Sequence, residues 1–308
     1  MRIVYLGTPD FAVLPLEKLV ENGYEIVGVC TNKDKPVGRK QVLTACPVKT
    51  FALSKGLKVF QYDKIRNEGV EDLKSLDVDA FITCAFGQIL SKEILDIPKI
   101  GTFNIHGSLL PKYRGSSPIQ YAVINGEKET GITVMRTDEG IDTGDIVYSE
   151  KTFIGENETA GELFNRLSVL GADCIIKALK LIESGKATFV KQDEKLATYT
   201  KMIKKENAKI DFALSTDKVH NFVRGMNPWP VAFTEYKGEI LKIFKTEKCS
   251  EKGVPGEIIS ANDKNGLKVA TSDGSVIIKE LQKAGGKRMN ATDFLRGNKI
   301  IEGEFLSK

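Results

Sequence analysis

Residues 101–111 read Gly-Thr-Phe-Asn-Ile-His-Gly-Ser-Leu-Leu-Pro, a short apolar run that ends in polar residues and a turn. Similar apolar runs precede it at 2–6, 25–31, 57–60 and 78–84, and helical patterns lie between most of them. Buried strands that alternate with helices are typical of a parallel α/β sheet. The first part of the chain is therefore predicted to be an α/β domain with a mostly parallel sheet.

The pattern changes after residue 186. A polar, lysine-rich stretch runs to about residue 205, and five strand-like segments then follow at short spacing with turn signals between them. Short, regularly spaced strands accompanied by one helix are typical of a small β-barrel of the OB type. We therefore predict a first domain at 1–188, a linker at 189–205 and an OB-like barrel at 206–308.

The composition is that of a globular protein, and its charges are unevenly distributed along the chain. The chain has 308 residues, 41% hydrophobic and 28% charged, with a net charge of +4. Basic residues concentrate at 33–49, at 186–205 and in the C-terminal part. This distribution favours a polyanionic partner, and a solvated lysine-rich surface is the alternative.

Cysteine spacing and hydropathy point to a cytoplasmic protein. The five cysteines are far apart and form no Cys-x-x-Cys pair, which supports neither a disulfide framework nor a zinc site. No apolar run approaches the length of a membrane span, and the chain enters a strand at once. We expect a cytoplasmic monomer with no metal and no membrane contact.

The turn after the first strand, Gly7-Thr8-Pro9-Asp10-Phe11, resembles a nucleotide-binding turn only superficially. It lacks the second and third glycines that bring the backbone against a pyrophosphate. We interpret it as a tight strand-to-helix turn in which Asp10 caps the helix.

An amide, an imidazole and a carboxylate are predicted to meet near residues 101–111. Asn104 and His106 lie two apart on a strand and so project to the same face, at the end where open α/β sheets place their sites. Asp142 lies in the glycine-rich segment 138–145, between two later strands. An amide can stabilise an oxyanion, an imidazole can accept a proton near neutral pH, and a carboxylate can orient that imidazole.

These three residue types favour acyl or formyl transfer, or hydrolysis. No serine or cysteine in a recognised nucleophile setting competes with them, so direct transfer is favoured over a covalent intermediate. Simpler interpretations stay open on the residues alone. His106 could be a hydrogen-bonded structural residue, and Asp142 could belong to turn chemistry or to a degenerate calcium loop.

The segment 104–111, followed by Tyr113-Arg114-Gly115, resembles the signature of folate-dependent formyltransferases. The opening Gly7-Thr8-Pro9 and the later Asn227-Pro228-Trp229-Pro230 narrow this resemblance to the members that formylate methionyl-initiator tRNA, and it extends over essentially the whole chain. It implies a Rossmann-like formyltransferase domain, a C-terminal OB-like tRNA-binding domain and 10-formyltetrahydrofolate as co-substrate.

The resemblance also implies roles for individual residues. The catalytic group would be Asn104, His106 and Asp142. The folate would contact Phe86, Gly87, Gln88, Ile89, Leu90, Ser108, Leu109, Leu110, Pro111, Asp138 and Gly140. The tRNA acceptor end would contact the basic loop 33–49 through Lys35, Arg39 and Lys40.

Trp229 is the one tryptophan of the chain, and His220 is the second of its two histidines. Trp229 lies between two prolines and is expected to be a packing anchor at the domain junction, with base stacking as the alternative. His220 lies in a predicted helix and is assigned no function.

Three competing functions remain. A formyltransferase for a nucleotide intermediate or an aminosugar would share the three catalytic residues but leave the basic loop and basic barrel unexplained. A non-enzymatic RNA-binding protein would not need those residues intact. A 10-formyltetrahydrofolate hydrolase, with water as acceptor, is excluded only by the resemblance.

Overall fold

A computed structural model describes residues 1–38 and 40–307. The strands are β1 (Arg2–Gly7), β2 (Glu25–Asn32), β3 (Lys35–Val37), β4 (Val42–Thr44), β5 (Val59–Tyr62), β6 (Ala80–Cys84), β7 (Gly101–His106), β8 (Arg114–Gly115), β9 (Glu129–Arg136), β10 (Ile146–Phe153), β11 (Tyr199–Thr200), β12 (Ala232–Tyr236), β13 (Glu239–Cys249), β14 (Ile258–Asn262), β15 (Gly266–Ala270), β16 (Ser275–Lys283) and β17 (Met289–Asn290). The α-helices are α1 (Val13–Glu21), α2 (Pro47–Ser54), α3 (Ile65–Glu68), α4 (Val70–Lys74), α5 (Lys92–Leu95), α6 (Pro118–Ile124), α7 (Ala160–Glu183), α8 (Thr216–Gly225) and α9 (Ala291–Gly297).

The chain divides into two compact units whose segments alternate along the sequence. The first unit comprises Met1–Gly115, Thr130–Thr152 and Phe164–Tyr199. The second comprises Ser116–Glu129, Phe153–Leu163 and Thr200–Lys308.

The first unit is built on a seven-stranded sheet in the order β10-β9-β7-β6-β1-β2-β5. The pairs from β7 to β5 are parallel, whereas β9 runs antiparallel to β7. Strands such as β1 and β6 are buried along nearly their whole length, which explains their continuous apolar sequences. The prediction of a mostly parallel α/β sheet is confirmed.

The β6–β7–β9 register positions the site. Thr83 of β6 pairs with Asn104 of β7, and His106 of β7 pairs with Thr133 of β9. Because β6 and β7 are parallel, the loops that follow them leave the sheet at the same edge. The segments 85–91 and 107–113 therefore lie together beside the polar end of β7.

Local expectations failed where a turn residue interrupts a helical pattern. A single helix is expected near 63–75, but the chain forms α3 and α4 with Gly69 between them.

The interpretation of Asp10 as a helix cap is wrong. Asp10 is the first residue of a 3-10 turn, the capping position belongs to Pro9, and no side-chain capping bond forms there.

The second unit contains an antiparallel sheet in the order β12-β13-β16-β15-β14, with β17 added to β16. The terminal segment hydrogen-bonds the two outer strands, through Ser307 N to Glu235 O (2.8 Å) and through Ile258 N to Glu304 O (2.8 Å). The antiparallel C-terminal sheet is confirmed, and this bridge between its edges supports the predicted OB-like closure. Within the described residues, no helix is long and apolar enough to cross a membrane.

Candidate active site

The side chains of Asn104, His106 and Asp142 meet on one face of β7. Asn104 Nδ2 donates to Asp142 Oδ1 over a long 3.5 Å, and His106 Nδ1 lies 3.6 Å from Asp142 Oδ2. The backbone N–H of Gly115 donates to the same Oδ2 at 2.8 Å. The Asp142 carboxylate therefore contacts an amide, an imidazole and a backbone donor at once.

The hydrogen bond to Tyr113 determines which nitrogen of the neutral His106 ring carries the proton. His106 Nε2 lies 2.9 Å from the carbonyl oxygen of Tyr113. A carbonyl oxygen can only accept, so Nε2 must be the protonated nitrogen. Nδ1 is then the basic atom of the neutral ring, and it faces Asp142. The ring is 6% exposed, which restricts its rotation and keeps this orientation.

A hydrogen bond from Thr83 determines the orientation of the Asn104 amide. The Thr83 hydroxyl donates to Asn104 Oδ1 at 2.9 Å. The amide oxygen is therefore engaged as an acceptor, and the Nδ2 hydrogens point away from Thr83 toward the Asp142 side of the site. Asn104 thus presents N–H donors on the side of the site that holds Asp142, and donors held in this way can stabilise an oxyanion.

The segment after β7 is held by hydroxyl bonds rather than by a sheet ladder. Thr133 Oγ1 donates to Ser108 O at 2.7 Å and accepts from Leu110 N at 3.1 Å. Ser108 Oγ donates to Lys112 O at 2.6 Å. These bonds shape the turn that brings the Tyr113 carbonyl to His106, with the Leu110–Pro111 peptide bond cis.

Asp142 itself has an unfavourable backbone conformation. Its φ of +53° lies in the left-handed region, which costs a residue other than glycine about 1 kcal/mol or more. The loop passes close to the backbone at the end of β9. Only a glycine fits at position 144, because an added Cβ there would lie 1.7 Å from Arg136 O. Asp138 Oδ1 supports the start of the loop by accepting from Gly140 N (3.0 Å) and Thr143 Oγ1 (2.6 Å).

Two supporting residues, Arg114 and Gln192, were not assigned roles from the sequence. Gln192 accepts from Arg114 and donates to the backbone oxygens of Asp142 and Gly144. The two residues are separated by 78 positions, and Gln192 lies in a stretch that reads as polar and lysine-rich. No spacing or motif in a single sequence links them.

Within the segment 86–90, the residues predicted to contact folate fall into two groups. Phe86 is buried, and the Gln88 amide is fully engaged, accepting from Ile65 N (2.8 Å) and donating to Asn32 Oδ1 (2.7 Å) and Tyr62 O (3.1 Å). These two residues support the loop after β6. Ile89, by contrast, is 72% exposed, whereas Leu90 packs against the adjacent apolar cluster.

Exposed apolar side chains lie on two of the loops near this end of the sheet. Ile89, on the loop after β6, and Ile141, next to Asp142, are large apolar side chains left 72% and 65% exposed. An added Cβ on Gly87 would meet only Asn32 Nδ2, at 3.8 Å, so the backbone there is open to close approach. Apolar side chains beside polar backbone groups are the usual lining for a ring system such as a pterin.

The predicted tRNA-contacting loop contains a hairpin that was not expected. β3 and β4 pair antiparallel, and Val37, Val42 and Leu43 are exposed. Lys35 and Lys40 are also exposed, whereas Lys33 and Lys49 form ion pairs with Asp63 (2.5 Å) and Asp34 (2.8 Å). Arg39 lies outside the described residues. The two lysines that remain open to solvent on this hairpin are thus two of the predicted contacts.

Trp229 and His220 lie in the second unit. Trp229 is 52% exposed, and its role as a packing anchor or as a stacking surface stays a prediction. His220 is buried, and its Nδ1 lies 3.0 Å from the Thr246 hydroxyl. Burial, followed by the nearby Arg224 and Lys248, lowers the pKa of His220. These features describe a neutral structural histidine, in keeping with the absence of an assigned function.

The buried thiols near the sheet are poor nucleophiles. Burial raises the pKa of both Cys30 and Cys84 to about 12, so neither provides a thiolate near neutral pH. Among the described residues, no group of three or more His, Cys, Asp or Glu side chains is arranged to hold a metal ion. The groups that meet at the candidate site are the Asn104 amide, the His106 imidazole and the Asp142 carboxylate.

Known proteins match the chain along its length. A formyl transferase family model matches residues 1–179, and a formyl transferase C-terminal domain model matches residues 202–299. The chain is 46% identical over 315 residues to the methionyl-tRNA formyltransferase of Ruminiclostridium cellulolyticum, covering 100% of both chains. It is 44% identical over 306 residues to the enzyme of that name from Clostridioides difficile, covering 98% of this chain and 99% of that one.

Solved structures of formyltransferases share the fold. A sugar 3N-formyl transferase, determined in the presence of dTDP and 5-N-formyl-THF, matches with a TM-score of 0.67 and 26% identity, covering 93% of this chain and 99% of that chain. An N-formyltransferase from Helicobacter canadensis matches in fold with a TM-score of 0.70 and 24% identity, covering 91% and 98%. The resemblance predicted from the sequence motifs is confirmed, and the chain belongs to the formyl transferase family.

Proposed function

We propose that the chain transfers the formyl group of 10-formyltetrahydrofolate to the amino group of methionyl-initiator tRNA, making formylmethionyl-tRNA for translation initiation. The observation that carries this proposal is the convergence of Asn104, His106 and Asp142 on one face of β7. It occurs in a chain that aligns from end to end with methionyl-tRNA formyltransferases.

His106 is the proton acceptor in this proposal. Nε2 is occupied by its bond to Tyr113 O, so Nδ1 takes the proton that the attacking amine loses. The resulting imidazolium faces Asp142 Oδ2, and the carboxylate stabilises that charge. The proposal therefore assigns His106 the role of base rather than that of oxyanion donor.

Asn104 acts on the formyl oxygen. Because Thr83 engages its amide oxygen, Nδ2 donates to the oxygen as negative charge develops there, and the barrier falls because the donor is already in place. The co-substrate supplies a formyl group carried on an amine nitrogen. His106 returns its proton to the nitrogen that departs, so no proton is gained or lost overall.

The folate lies between the loop after β6 and the segments 108–111 and 138–142. Its binding residues are those predicted from the sequence together with Ile141, and they have different roles. Ile89 and Ile141 contact the ligand directly, since both are exposed apolar side chains. Phe86 and Gln88 shape the loop from beneath, since their side chains are buried or fully hydrogen-bonded.

The β3–β4 hairpin binds the acceptor end of the tRNA. Lys35 and Lys40 provide charge for phosphates, and Arg39 is assigned with them from the sequence. The exposed Val37 and Leu43 provide apolar surface against bases that are not paired. The catalytic residues lie in the predicted 1–188 domain. Residues 189–205 remain a predicted linker, and 206–308 a predicted tRNA-binding domain.

A sugar acceptor is the second candidate, because sugar formyltransferases share the fold. The identity is 26% to the sugar 3N-formyl transferase and 46% over the full length to a methionyl-tRNA formyltransferase. The exposed basic hairpin also has no evident use with a small acceptor. We further propose that the enzyme is a cytoplasmic monomer.

The test is an assay with 10-formyltetrahydrofolate and three acceptors: initiator methionyl-tRNA, elongator methionyl-tRNA and a dTDP-linked aminosugar. We expect efficient formylation of the initiator and far lower rates with the other two. Formylation of the aminosugar without formylation of the initiator would contradict the proposal.

A further inference from the structure

The Gln192 side chain uses its whole hydrogen-bonding capacity beside the active site. Its Oε1 accepts from Arg114 Nε (3.0 Å) and Nη2 (2.9 Å). Its Nε2 donates to Asp142 O (2.8 Å) and to Gly144 O (2.7 Å). A guanidinium can only donate and a carbonyl can only accept, so this orientation of the amide is the one that satisfies all four bonds.

Arg114 provides a rigid anchor for Gln192. Its side chain is 0% exposed, and the rest of its guanidinium binds Glu194 at 2.7 and 2.8 Å and the Tyr199 hydroxyl at 3.0 Å. Hydrogen bonding to Glu194 raises the pKa of Arg114 further above its usual value. A planar guanidinium held from several directions cannot rotate without breaking charge-assisted bonds.

The segment 113–115 reaches the catalytic residues through its backbone as well. The Tyr113 carbonyl accepts from His106, and the Gly115 N–H donates to the Asp142 carboxylate. The carboxylate of Asp142 is thus held by Gly115 while its backbone carbonyl is held by Gln192. Asp142 needs such support because its backbone is in the left-handed region.

We infer that Gln192 is a positioning residue, which couples the Arg114 guanidinium to the backbone of Asp142 and so keeps the Asp142 carboxylate directed at His106 and Asn104. The inference concerns the reaction proposed above and rests on it. Gln192 does not contact the reacting atoms. It acts by limiting the positions of the carboxylate that stabilises the His106 imidazolium, and hydrogen-bonded partners of this kind typically change activity about ten- to a hundredfold.

Two substitutions at one position separate the parts of this role. Gln192→Met keeps the size but removes every bond. Gln192→Glu keeps an acceptor for Arg114 but replaces the donors to Asp142 O and Gly144 O with oxygen atoms. Asn22→Leu is the control, because the Asn22 amide also donates to a backbone oxygen, Lys18 O at 2.8 Å, but at the end of α1.

Steady-state formylation is measured for each variant. Gln192→Met and Gln192→Glu are expected to lower kcat about ten- to a hundredfold, with KM for both substrates within about twofold. Asn22→Leu is expected to leave kcat unchanged. In an Asp142→Asn background, Gln192→Met should cause less than about a twofold further loss, since residues that act through one another are not additive. An equal loss in both backgrounds, or an unchanged kcat in Gln192→Glu, would overturn the inference.

Amide hydrogen exchange tests the positioning without any assay of activity. The Gly115 N–H should exchange about tenfold faster in Gln192→Met, because its acceptor on Asp142 is no longer held. The Leu110 N–H, which donates to Thr133, should not change. Equal rates for Gly115 in both proteins would overturn the inference even if the wild-type chain formylates tRNA. A wild type that fails to formylate tRNA but shows the Gly115 effect would overturn only the proposed function.

Discussion

The candidate active site and the β3–β4 hairpin belong to the same compact unit but are built in opposite ways. Around Asn104, His106 and Asp142, most polar groups have a named partner and little surface is open. On the hairpin, lysines and large apolar side chains extend into solvent. Proton transfer requires groups held in place, whereas an extended nucleic-acid end is bound by charge and adaptable contacts. The two regions should therefore respond differently to mutation.

The largest effect is expected from Asp142→Asn. The amide keeps the shape but removes the negative charge beside His106 Nδ1, so kcat should fall about a thousandfold. Steady-state formylation measures this, with Asp173→Asn as a control, because Asp173 is a partly exposed carboxylate near Lys18. A loss of less than tenfold in Asp142→Asn would mean that the carboxylate does not support the imidazolium.

Gly144→Ala should perturb the site through its backbone. An added Cβ would lie 1.7 Å from Arg136 O, so the loop that carries Asp142 must shift. A displacement of about 1 Å can cost about a hundredfold in rate. The control is Gly297→Ala at the end of α9, where an added Cβ meets nothing within 4 Å. Equal activities of the two variants would show that the loop tolerates this shift.

The hairpin should affect binding instead of turnover. The double substitution Lys35→Ala, Lys40→Ala removes two exposed charges, so KM for tRNA should rise about tenfold with kcat nearly unchanged. The slope of log affinity against log salt should fall by about 2, one for each lysine. Lys55→Ala, Lys58→Ala removes the same charge elsewhere and should change neither value. A lower kcat at saturating tRNA would place the hairpin in the chemical step.

The smallest effect concerns stability in the second unit. Burial lowers the pKa of His220 in the folded state, so the unfolded chain binds the proton more readily. Stability is therefore full above the unfolded pKa of about 6.5 and falls as the pH drops below it, by at most about 1.4 kcal/mol per pH unit for one proton. Urea unfolding at pH 7.5 and 5.0 measures this loss, which should be smaller in His220→Asn.

Much of the fold was predictable because the strand signals are strong. Continuous apolar runs marked β1, β2, β6 and β7, and turn residues separated most of the C-terminal strands. The β3–β4 hairpin was missed because its apolar residues are exposed and its loop reads as basic. The break between α3 and α4 was not predicted, because the pattern near 63–75 reads as one helix and only a single glycine, Gly69, divides it.

The candidate site was predictable only in part. Asn104 and His106 were identified by their spacing on one strand, and Asp142 by a carboxylate in a glycine-rich loop. Gln192 was not identified, because a single glutamine has no local signal and its partners are distant in the chain. The tautomer of His106 also required the structure, since it depends on the Tyr113 carbonyl.

The central claim is that Asn104, His106 and Asp142 perform the chemistry while acceptor binding lies elsewhere. The most direct measurement is the single-turnover formylation rate of His106→Ala at saturating methionyl-initiator tRNA, together with the dissociation constant for that tRNA. The account predicts a rate about a thousandfold below wild type with the dissociation constant within about twofold. A rate that recovers when more tRNA is added, with weakened binding, would contradict it.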